Sequence, residues 1–542
     1  MKLHLPVPLH KALLACFAVV SSITLGATVV ISERYSVSAD AEENTITIDY
    51  ANPETTIPHA NGTLQLTPVT SENKGVSLKL NNTGLGDGKT YTLATGVTRF
   101  EDAEGNAITL DSSNNAISNY FDTTQPGSGF WADAILQLSN DGTLQLVRHS
   151  EPVKDAVTVT TRQTGDVDYQ YYEGVRFADI EYTTSSSDAE GGAIYGDRYS
   201  TITLSNNGSV VFAGNTASST GYYADAYGGA IYGFSDSTIM LSNNGSVTFS
   251  GNSASGSDSS AYGGAIYGGS YSTITLSNNG SVVFEGNTAS TTGSYAYGSA
   301  IYGGSYSTIT LSNNGSVTFS GNTASGSNSV YGGAIYGSTI TLSNNESVTF
   351  SENTASSSSS SAYGGAIYGG SYSTITLSNN GSVTFSGNTA TCSPYSAYGG
   401  AIYGLNSSTI TLSNNGSVTF SGNTATSSSS SASGGAIYTN GNLSIQNNDS
   451  VEFYQNAEVK GGVYRLRSIY AGGSGDVISL SAAAGKNITF RDAVYIASGS
   501  TVNLNADYGN VKQQGDIVFT GKYTETHLNE LLEAAGAGRT AT

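Results

Sequence analysis

A unit of about 35 residues recurs eight times between residues 191 and 456, and it constrains the fold more than any other feature of the chain. Every copy carries a first element of the type Gly-Gly-Ala-Ile-Tyr and a second element of the type Phe-x-x-Asn, 21 residues apart in six of the eight copies. Length changes fall outside the apolar segments, as at Gly337-Ser338, where a Gly-Ser-Tyr found in other copies is missing. A fixed period of this size is typical of a solenoid, in which each repeat contacts only its neighbours.

Each copy contains three short apolar segments, which in the first copy are residues 193–195, 201–204 and 210–212. Side chains alternate between the two faces of a strand, so Ile202 and Leu204 share one face. Parallel stacking of such repeats places Ile over Ile and Phe over Phe, which fills a core without helices. The sequence therefore predicts an all-β parallel β-helix with one three-strand rung per repeat, although two shorter rungs per repeat also fit. We expect the coil to be right-handed, as parallel crossovers usually are.

The connections between these segments carry turn residues. Asn-Asn-Gly follows the second segment, first at residues 206–208, and asparagine and glycine both tolerate left-handed backbone angles. Stacked asparagine side chains can also form hydrogen bonds along the stack. The recurring Asn-Gly-Ser triplets match the N-glycosylation pattern, but they recur because the turn recurs. The serine-rich spacers, such as residues 354–363, are predicted to project as loops.

The rest of the chain is assigned around the repeat β-helix, which we place at residues 187–460. Residues 1–41 have a basic start, an apolar stretch and small residues at the end, which indicates a signal peptide, with an uncleaved anchor as the alternative. Residues 42–186 are predicted to form a β-rich N-terminal cap with a hairpin around the turn at 139–142. Residues 461–521 are interpreted as degenerate C-terminal rungs, and residues 522–542 as a short helical or disordered tail.

The charge pattern excludes one class of function. The chain carries 41 acidic and 20 basic residues, which gives a net charge of −21. Phosphate backbones would be repelled, so no nucleic-acid partner is expected. The negative charge instead favours solubility and opposes edge-to-edge association of a β-rich surface.

Catalytic patterns are missing from the repeats. Polysaccharide-cleaving β-helices need paired carboxylates or a base near cationic groups. Residues 191–438 contain seven scattered acids and one base, Arg198, and all five histidines lie outside the repeats. Metal-ligand spacing and the Gly-x-Ser-x-Gly pattern are also absent from the sequence. We therefore predict no enzyme activity, no cofactor and no metal, with a polysaccharide-processing enzyme as the remote alternative.

The two cysteines offer little chemistry. Cys16 lies in the predicted signal peptide, so the exported chain would carry Cys392 alone and no internal disulfide. Cys392 falls in a spacer and is interpreted as an incidental loop cysteine, with a reactive or intermolecular role as the alternative.

The tyrosine of the first element recurs in every copy. If the preceding isoleucine points inward, this tyrosine points outward, and stacking produces an exposed aromatic ladder. Such a ladder suits contacts with sugars or proteins, although the serine-rich loops would also be able to cover it. The candidate exposed ladder consists of Tyr195, Tyr232, Tyr267, Tyr302, Tyr336, Tyr368, Tyr403 and Tyr438.

The alternation of Gly-Gly-Ala-Ile with Phe-x-x-Asn over residues 191–456 resembles the polymorphic outer membrane proteins of the chlamydial type. The resemblance implies an autotransporter passenger that folds as a right-handed parallel β-helix and is displayed at the outer membrane surface or released. It also implies that the two motifs act in adhesion to host cells. The candidate adhesion residues carried over from the motif are Gly228, Gly229, Ala230, Ile231, Phe249, Asn252, Gly263, Gly264, Ala265, Ile266, Phe284 and Asn287.

The resemblance also concerns the end of the chain. Residues 515–521 resemble the end of a passenger, and we see no pattern of the family's C-terminal β-barrel after them. Anchoring in the outer membrane is therefore expected through a missing or separate barrel.

Two functional hypotheses follow from the sequence. The leading one is an exported, adhesin-like protein whose partner is a protein or glycan on a host or neighbouring cell. The alternative is a structural spacer or antigenic shield without a specific ligand.

Overall fold

The computed structural model describes residues 45–48, 63–65, 76–80, 90–101, 106–110, 119–122, 134–139, 142–148, 154–471, 473, 475–497, 500–505 and 515–520. The predicted signal peptide and the predicted C-terminal tail lie outside these residues. The chain divides into two compact units, residues 1–153 and 154–542. The described residues contain no α-helix, and therefore none long and apolar enough to cross a membrane.

The described residues of the N-terminal unit form three small sheets of three strands each. The predicted hairpin is present, because Ala134–Leu138 pairs antiparallel with Leu144–Arg148 and Gly142 adopts a φ of 83°. The strands of this unit are Thr45–Ile48, Thr63–Gln65, Val76–Leu80, Thr90–Ala94, Arg99–Glu101, Ala107–Ile108, Phe121–Asp122, Ala134–Leu138 and Leu144–Arg148.

The second unit is the predicted parallel β-solenoid. The copy that starts at Gly228 forms a rung of five strands. We name four of these strands by a characteristic residue and the fifth by its short length. They are the isoleucine strand Ile231–Gly233, the threonine strand Thr238–Ser242, the phenylalanine strand Ser246–Ser250, the alanine strand Ser253–Gly256 and the short strand Ala261–Tyr262. Each pairs in parallel and in register with its counterpart in the next copy. Each repeat therefore forms one rung.

The other copies repeat this arrangement. The isoleucine strands are Ile194–Gly196, Ile231–Gly233, Ile266–Gly268, Ile301–Gly303, Ile402–Gly404 and Ile437–Thr439. The threonine strands are Thr201–Ser205, Thr238–Ser242, Thr273–Ser277, Thr308–Ser312, Thr409–Ser413 and Asn442–Gln446. In two copies the two strands are continuous, as Ile335–Ser343 and Ile367–Ser378.

The remaining strands of the repeats follow the same order. The phenylalanine strands are Ser209–Ala213, Ser246–Ser250, Ser281–Glu285, Ser316–Ser320, Ser347–Ser351, Ser382–Ser386, Ser417–Ser421 and Ser450–Tyr454. The alanine strands are Thr216–Ser219, Ser253–Gly256, Thr288–Thr291, Thr323–Gly326, Thr354–Ser357, Thr389–Cys392, Thr424–Ser427 and Ala457–Lys460. The short strands are Ala189–Glu190, Ala226–Tyr227, Ala261–Tyr262, Ala296–Tyr297, Val330–Tyr331, Ala362–Tyr363, Ala397–Tyr398 and Ala432–Ser433.

The main core lies between the isoleucine, threonine and phenylalanine strands. Their inward side chains are stacked by type and form one continuous apolar cluster from Val159 to Val494. The phenylalanine rings stack face to face, with 4.7 Å between the centroids of Phe212 and Phe249 and an interplanar angle of 2°. Because every rung adds the same side chains at the same place, the core is filled by ladders, as the sequence predicts.

The serine-rich spacers differ from the prediction. Residues 354–363 do not project as one loop, because Thr354–Ser357 and Ala362–Tyr363 are strands joined by a short turn. Ala355 and Ala362 are fully buried. Alanine and serine fit the narrow space beside the main core, and small clusters of buried alanine form there in several copies. Small side chains thus build a second, minor core that hydrophobic patterning does not reveal.

The parallel pairing also starts before the first repeat. Val175–Ala178 pairs with Ser209–Ala213 so that Phe177 stacks under Phe212. The leading strands are Val157–Val159, Gln163–Thr164, Val167–Gln170, Val175–Ala178 and Glu181–Thr184. They belong to the solenoid, whereas the sequence placed them in the N-terminal cap. They lack the Gly-Gly-Ala-Ile element that identifies the repeats in the sequence.

The solenoid continues beyond the last repeat. The trailing strands are Val463–Ala471, Val477–Ser481, Asn487–Phe490, Ala493–Ile496, Thr501–Leu504 and Asp516–Phe519. Asn487–Phe490 and Asp516–Phe519 extend the sheet of phenylalanine strands, which has 12 members. These strands lie within residues 461–521, which the sequence analysis interprets as degenerate rungs.

Candidate interaction surface

The Gly-Gly-Ala-Ile element makes the corner before the isoleucine strand. Gly228 adopts a left-handed φ of 59°, which favours glycine. A Cβ atom on Gly229 would lie 2.2 Å from the carbonyl oxygen of Gly264 in the next rung. The first glycine is therefore required by the turn and the second by the close approach of two rungs. Ala230 and Ile231 follow directly and are fully buried in the main core.

The asparagine of Phe-x-x-Asn forms a buried hydrogen-bonded ladder. Nδ2 of Asn252 donates to Oδ1 of Asn287 at 2.9 Å and to the carbonyl oxygen of Phe212 at 3.0 Å. The backbone N–H of Asn252 also donates to Oδ1 of Asn287 at 3.1 Å. Buried polar groups are costly unless they are paired, and here each amide is paired with both neighbouring rungs. The ladder consists of Asn215, Asn252, Asn287, Asn322, Asn353, Asn388, Asn423 and Asn456.

A second asparagine ladder runs along the turn before the phenylalanine strand. The first asparagine of each turn is left-handed, as predicted, with a φ of 56° at Asn243. The second, such as Asn244, donates from Nδ2 to Oδ1 of Asn279 at 3.0 Å in the next rung. These amides are buried and form hydrogen bonds between rungs in the folded chain. The Asn-Gly-Ser triplets are therefore explained by the turn and not by glycosylation.

The motif residues carried over as an adhesion site are core residues. All twelve, from Gly228 to Asn287, are buried, and the side chains of Ile231, Phe249 and Asn252 are fully covered. A partner has no access to them while the solenoid is folded. The expectation that these residues touch a receptor directly disagrees with the structure, because the stacked rungs use every one of them for packing or hydrogen bonding.

The tyrosines of the first element form a ladder that is stacked but not exposed. Tyr267 and Tyr302 lie 5.0 Å apart between ring centroids, nearly parallel. Tyr232, Tyr368 and Tyr403 are buried, and the other members are half-buried. The prediction of an exposed ladder is therefore wrong.

A second tyrosine row covers the first. Tyr262 of the short strand contacts Tyr302 edge to face, with 5.1 Å between the ring centroids. Edge-to-face contacts of this type stabilise aromatic pairs beyond the burial of area. The covering row consists of Tyr227, Tyr262, Tyr297, Tyr331, Tyr363 and Tyr398. The sequence signal was the recurrence of Ala-Tyr just before Gly-Gly-Ala-Ile.

Burial in this double row changes the acidity of the phenols. Desolvation, followed by the proximity of Asp225 and other tyrosines, raises the pKa of Tyr262 to about 12. Desolvation also raises the pKa of Tyr438 to about 12. The phenols therefore stay neutral under physiological conditions, and the double row acts as packing.

A family model matches four stretches of the solenoid: residues 246–269, 316–338, 382–405 and 417–440. Its description is the Chlamydia polymorphic membrane protein repeat. Each matched stretch joins a phenylalanine strand and its ladder asparagine to the Gly-Gly-Ala-Ile corner or its equivalent in the following rung. Four of the repeats are thus similar to polymorphic membrane protein repeats. No curated protein and no solved structure matches the chain.

Exposed aromatic side chains of the repeats lie elsewhere. One set lies where the chain passes from the isoleucine strand to the threonine strand, a position that is continuous strand at Tyr372. Tyr222, Tyr223, Phe234 and Tyr395 are exposed at other positions. Tyr199, Tyr271, Tyr306 and Tyr372 occupy the same position in four rungs and are 61–84% exposed. Each has a left-handed φ of 60–67°. We call this set the turn tyrosines. The sequence analysis missed them, although Gly-Ser-Tyr-Ser recurs visibly in three copies.

The turn tyrosines contribute little to folding. A left-handed backbone costs a residue with a side chain roughly 1–2 kcal/mol, and an exposed ring regains little by burial. Glycine would suit the same turn without strain. Strained, exposed positions of this kind point to a role outside the core.

The repeats show little ionic chemistry. Arg198 contacts Asp236 at 3.0 Å, and the Asp225 carboxylate accepts a hydrogen bond from Tyr227 Oη at 2.9 Å. Among the described residues, no cluster of three or more histidines, cysteines or acids could hold a metal ion. Cys392 ends an alanine strand and is buried, and burial raises the pKa of its thiol. It is thus a packing residue and does not lie in a loop.

Proposed function

We propose that the chain is an exported, surface-exposed passenger of the autotransporter type that acts as an adhesin-like binding protein. Four stretches of the solenoid match the polymorphic membrane protein repeat, which supports a place at the outer membrane surface or outside the cell. The expected partner is a protein or glycan on a host or neighbouring cell.

The observation that carries the proposal is the division of labour within each repeat. The residues of the two motifs are buried in the core, whereas the turn tyrosines are exposed and have a strained, left-handed backbone. A chain that served only as a spacer would gain nothing from four solvated aromatic rings on left-handed backbone. Binding by the turns and spacers explains both features.

The test is attachment of the folded full chain to cells. Beads coated with the chain are incubated with cultured epithelial cells, and albumin-coated beads serve as the background. A matched variant carries glycine at all four turn tyrosines, which keeps the left-handed turns unstrained. We expect attachment well above background for the chain and at least a tenfold decrease for the variant. Attachment at background for the chain itself would contradict the proposal and favour the spacer hypothesis.

A further inference from the structure

One rung of the solenoid is shorter than its neighbours at the turn tyrosine position. Gly337 pairs with Gly369 and Thr339 pairs with Thr374, so Ser338 alone stands opposite the four residues 370–373. On the other side, Thr339 pairs with Thr308 of the rung that carries Tyr306. The shortened rung therefore separates the turns of Tyr306 and Tyr372 without disturbing the strands on either side.

The missing turn leaves open space beside Gly370. In regular rungs the equivalent glycine abuts the preceding turn, and a Cβ atom on Gly304 would lie 2.9 Å from backbone atoms of Gly269 and Ser270. Within the part of the chain that the structure describes, a Cβ atom on Gly370 would have Tyr336 Oη, 3.9 Å away, as its only neighbour within 4 Å outside the adjacent residues. The space is thus a notch with a phenolic hydroxyl at its base.

Ser338 forms the other part of the base. Its Oγ accepts a hydrogen bond from the backbone N–H of Tyr306 at 3.2 Å and donates to the carbonyl oxygen of Gly304 at 3.2 Å. In a regular rung a backbone carbonyl of the next turn accepts the equivalent bond, as Ser305 does for Tyr271. The serine side chain thus replaces the missing turn and keeps the Tyr306 turn in place.

The two sides of the notch are turn tyrosines. One face of Tyr306 stacks on Tyr271 of the preceding rung, with 5.2 Å between the ring centroids. Its other face is therefore directed toward the shortened rung. Tyr372 follows on the far side and is 84% exposed. The two turns are separated by two strand spacings, roughly 10 Å, which leaves room for one puckered ring with contacts of about 3.5–4 Å on each face.

The notch offers no charge to a ligand. Residues 199–459 contain no lysine or arginine, so a sialylated or sulfated sugar finds no counter-ion in this part of the solenoid. The surrounding groups are hydroxyls of serine, threonine and tyrosine, which suit the hydroxyls of a sugar. A protein partner, in contrast, usually covers a wider apolar patch than isolated rings set among glycine and serine.

We propose that the notch between Tyr306 and Tyr372 binds one uncharged pyranose unit of a cell-surface glycan. The apolar C–H faces of the sugar pack against the tyrosine rings, and its hydroxyls form hydrogen bonds with Tyr336 Oη and the neighbouring serines. This inference rests on the proposed adhesin-like function and names its ligand class and its site.

The experiment measures binding of the full chain to immobilised oligosaccharides. The neutral probes end in galactose, N-acetylglucosamine or mannose, and the acidic probes are sialylated or sulfated versions of the same chains. Tyr372→Gly removes one side of the notch, and Tyr199→Gly is the matched control, because Tyr199 is also a left-handed turn tyrosine but lies outside the notch. A second variant inserts Gly-Ser-Tyr between Gly337 and Ser338, which fills the notch and adds an aromatic ring.

We expect binding of at least one neutral probe, at least a tenfold loss of affinity in Tyr372→Gly and in the insertion variant, and unchanged affinity in Tyr199→Gly. Urea unfolding midpoints equal to that of the parent chain show that the variants are folded. Unchanged or stronger binding by the insertion variant, or preference for acidic probes, overturns the notch. Attachment to cells without binding of any neutral probe also overturns the notch but leaves the proposed function intact. Failure of the parent chain both to attach to cells and to bind any neutral probe contradicts the two proposals together.

Discussion

The repeated rungs of the solenoid and the trailing rungs after residue 456 both supply hydrogen-bond partners for buried ladder asparagines, but they use different residues to do so. In the repeats, each ladder asparagine donates its Nδ2 toward the next rung, so the chain of amides has a direction. At the last asparagine, Asn456, the next acceptor is a buried carboxylate: Nδ2 donates to Oδ2 of Asp492 at 3.0 Å. A neutral ladder of this kind can be extended by identical rungs, and this one ends on a group that only accepts.

Asp492 is placed for this task by several donors. Its Oδ1 accepts the backbone N–H of Gln455 at 2.9 Å, and its Oδ2 accepts the backbone N–H of Asn456 at 2.8 Å. The hydroxyl of Ser468 donates to Oδ2 as well, at 2.9 Å. A carboxylate with this many donors is stable in a buried site, because charge-assisted hydrogen bonds offset its desolvation. The comparison shows that growth by identical rungs and termination need different chemistry.

The trailing rungs also change the strand pattern. Ala457–Lys460 pairs antiparallel with the first part of Val463–Ala471, so a β-hairpin lies here at the position of the minor core. Glu458 is buried there and contacts Arg467 at 2.8 Å. Its Oε1 also accepts the backbone N–H of Gly434. Here buried ions replace the small alanines of the repeats.

The largest effect is expected from breaking the asparagine ladder in the middle. Asn322→Ala leaves the amide of Asn287, the backbone N–H of Asn287 and the carbonyl oxygen of Phe284 without their partners. Each unsatisfied buried group costs about 1–3 kcal/mol, so the free energy of unfolding falls by about 4 kcal/mol or more. Urea unfolding followed by circular dichroism measures the loss. An effect below about 1 kcal/mol would show that the ladder is dispensable.

The next effect compares the same substitution in the two regions. Phe319 is fully buried between two rings, whereas Phe519 is partly buried and stacks on Phe490. Phe319→Ala should therefore cost about 3–5 kcal/mol and Phe519→Ala about 1–2 kcal/mol. Equal costs, measured by urea unfolding, would contradict the view that the trailing rungs are less tightly packed.

A smaller effect is expected when Asp492, at the end of the asparagine ladder, is replaced by the asparagine that occupies the ladder in the repeats. Asp492→Asn keeps the size of the side chain but presents an NH₂ group where two backbone N–H groups require acceptors. We expect a cost of about 1–3 kcal/mol. The control is Asn322→Asp, which places a charge within the neutral ladder and should cost more. A fully stable Asp492→Asn variant would show that the ladder needs no carboxylate at its end.

The smallest effect concerns pH. Burial raises the pKa of Glu458, although Arg467 and the N–H of Gly434 oppose the shift. The folded chain then binds this proton more tightly than the unfolded chain, so the contribution to stability is fully present below the unfolded pKa of about 4.3 and is lost as pH rises through the raised value. Amide-exchange protection of residues 457–466 should therefore decrease as the pH rises above the unfolded pKa. Glu458→Gln should remove the dependence, and a protection factor that increases with pH would contradict this assignment.

Much of the solenoid is visible in the sequence because its core residues are large and periodic. Ile194, Ile202 and Phe212 identify three strands per rung, and the asparagine turns identify the corners. The alanine and short strands escape prediction, since Ala355 and Ala362 give no hydrophobic signal in a serine-rich segment. The leading rungs lack the motif, although Phe177 lies 35 residues before Phe212, which is the period of the repeat.

The candidate site is less predictable for a physical reason. The missing Gly-Ser-Tyr at Gly337-Ser338 is evident in the sequence, but the notch exists only because the rungs on both sides stay in register. The exposure of a tyrosine also depends on which other side chains cover it. Alternation along the isoleucine strand places Tyr302 outward correctly, yet Tyr262 from another strand lies over it.

Hydroxyl-radical footprinting of the folded full chain tests most directly whether the family motifs are scaffold and the turns are surface. Residues 199–459 contain no tryptic site, so the labelled chain is digested with a protease of broader specificity. Tyr271, Tyr306 and Tyr372 should be oxidised rapidly, whereas the phenylalanines of Phe-x-x-Asn should be protected until the chain is unfolded in denaturant. Oxidation of Phe249, Phe284 or Phe319 in the folded chain at the rate of the turn tyrosines would contradict a buried motif.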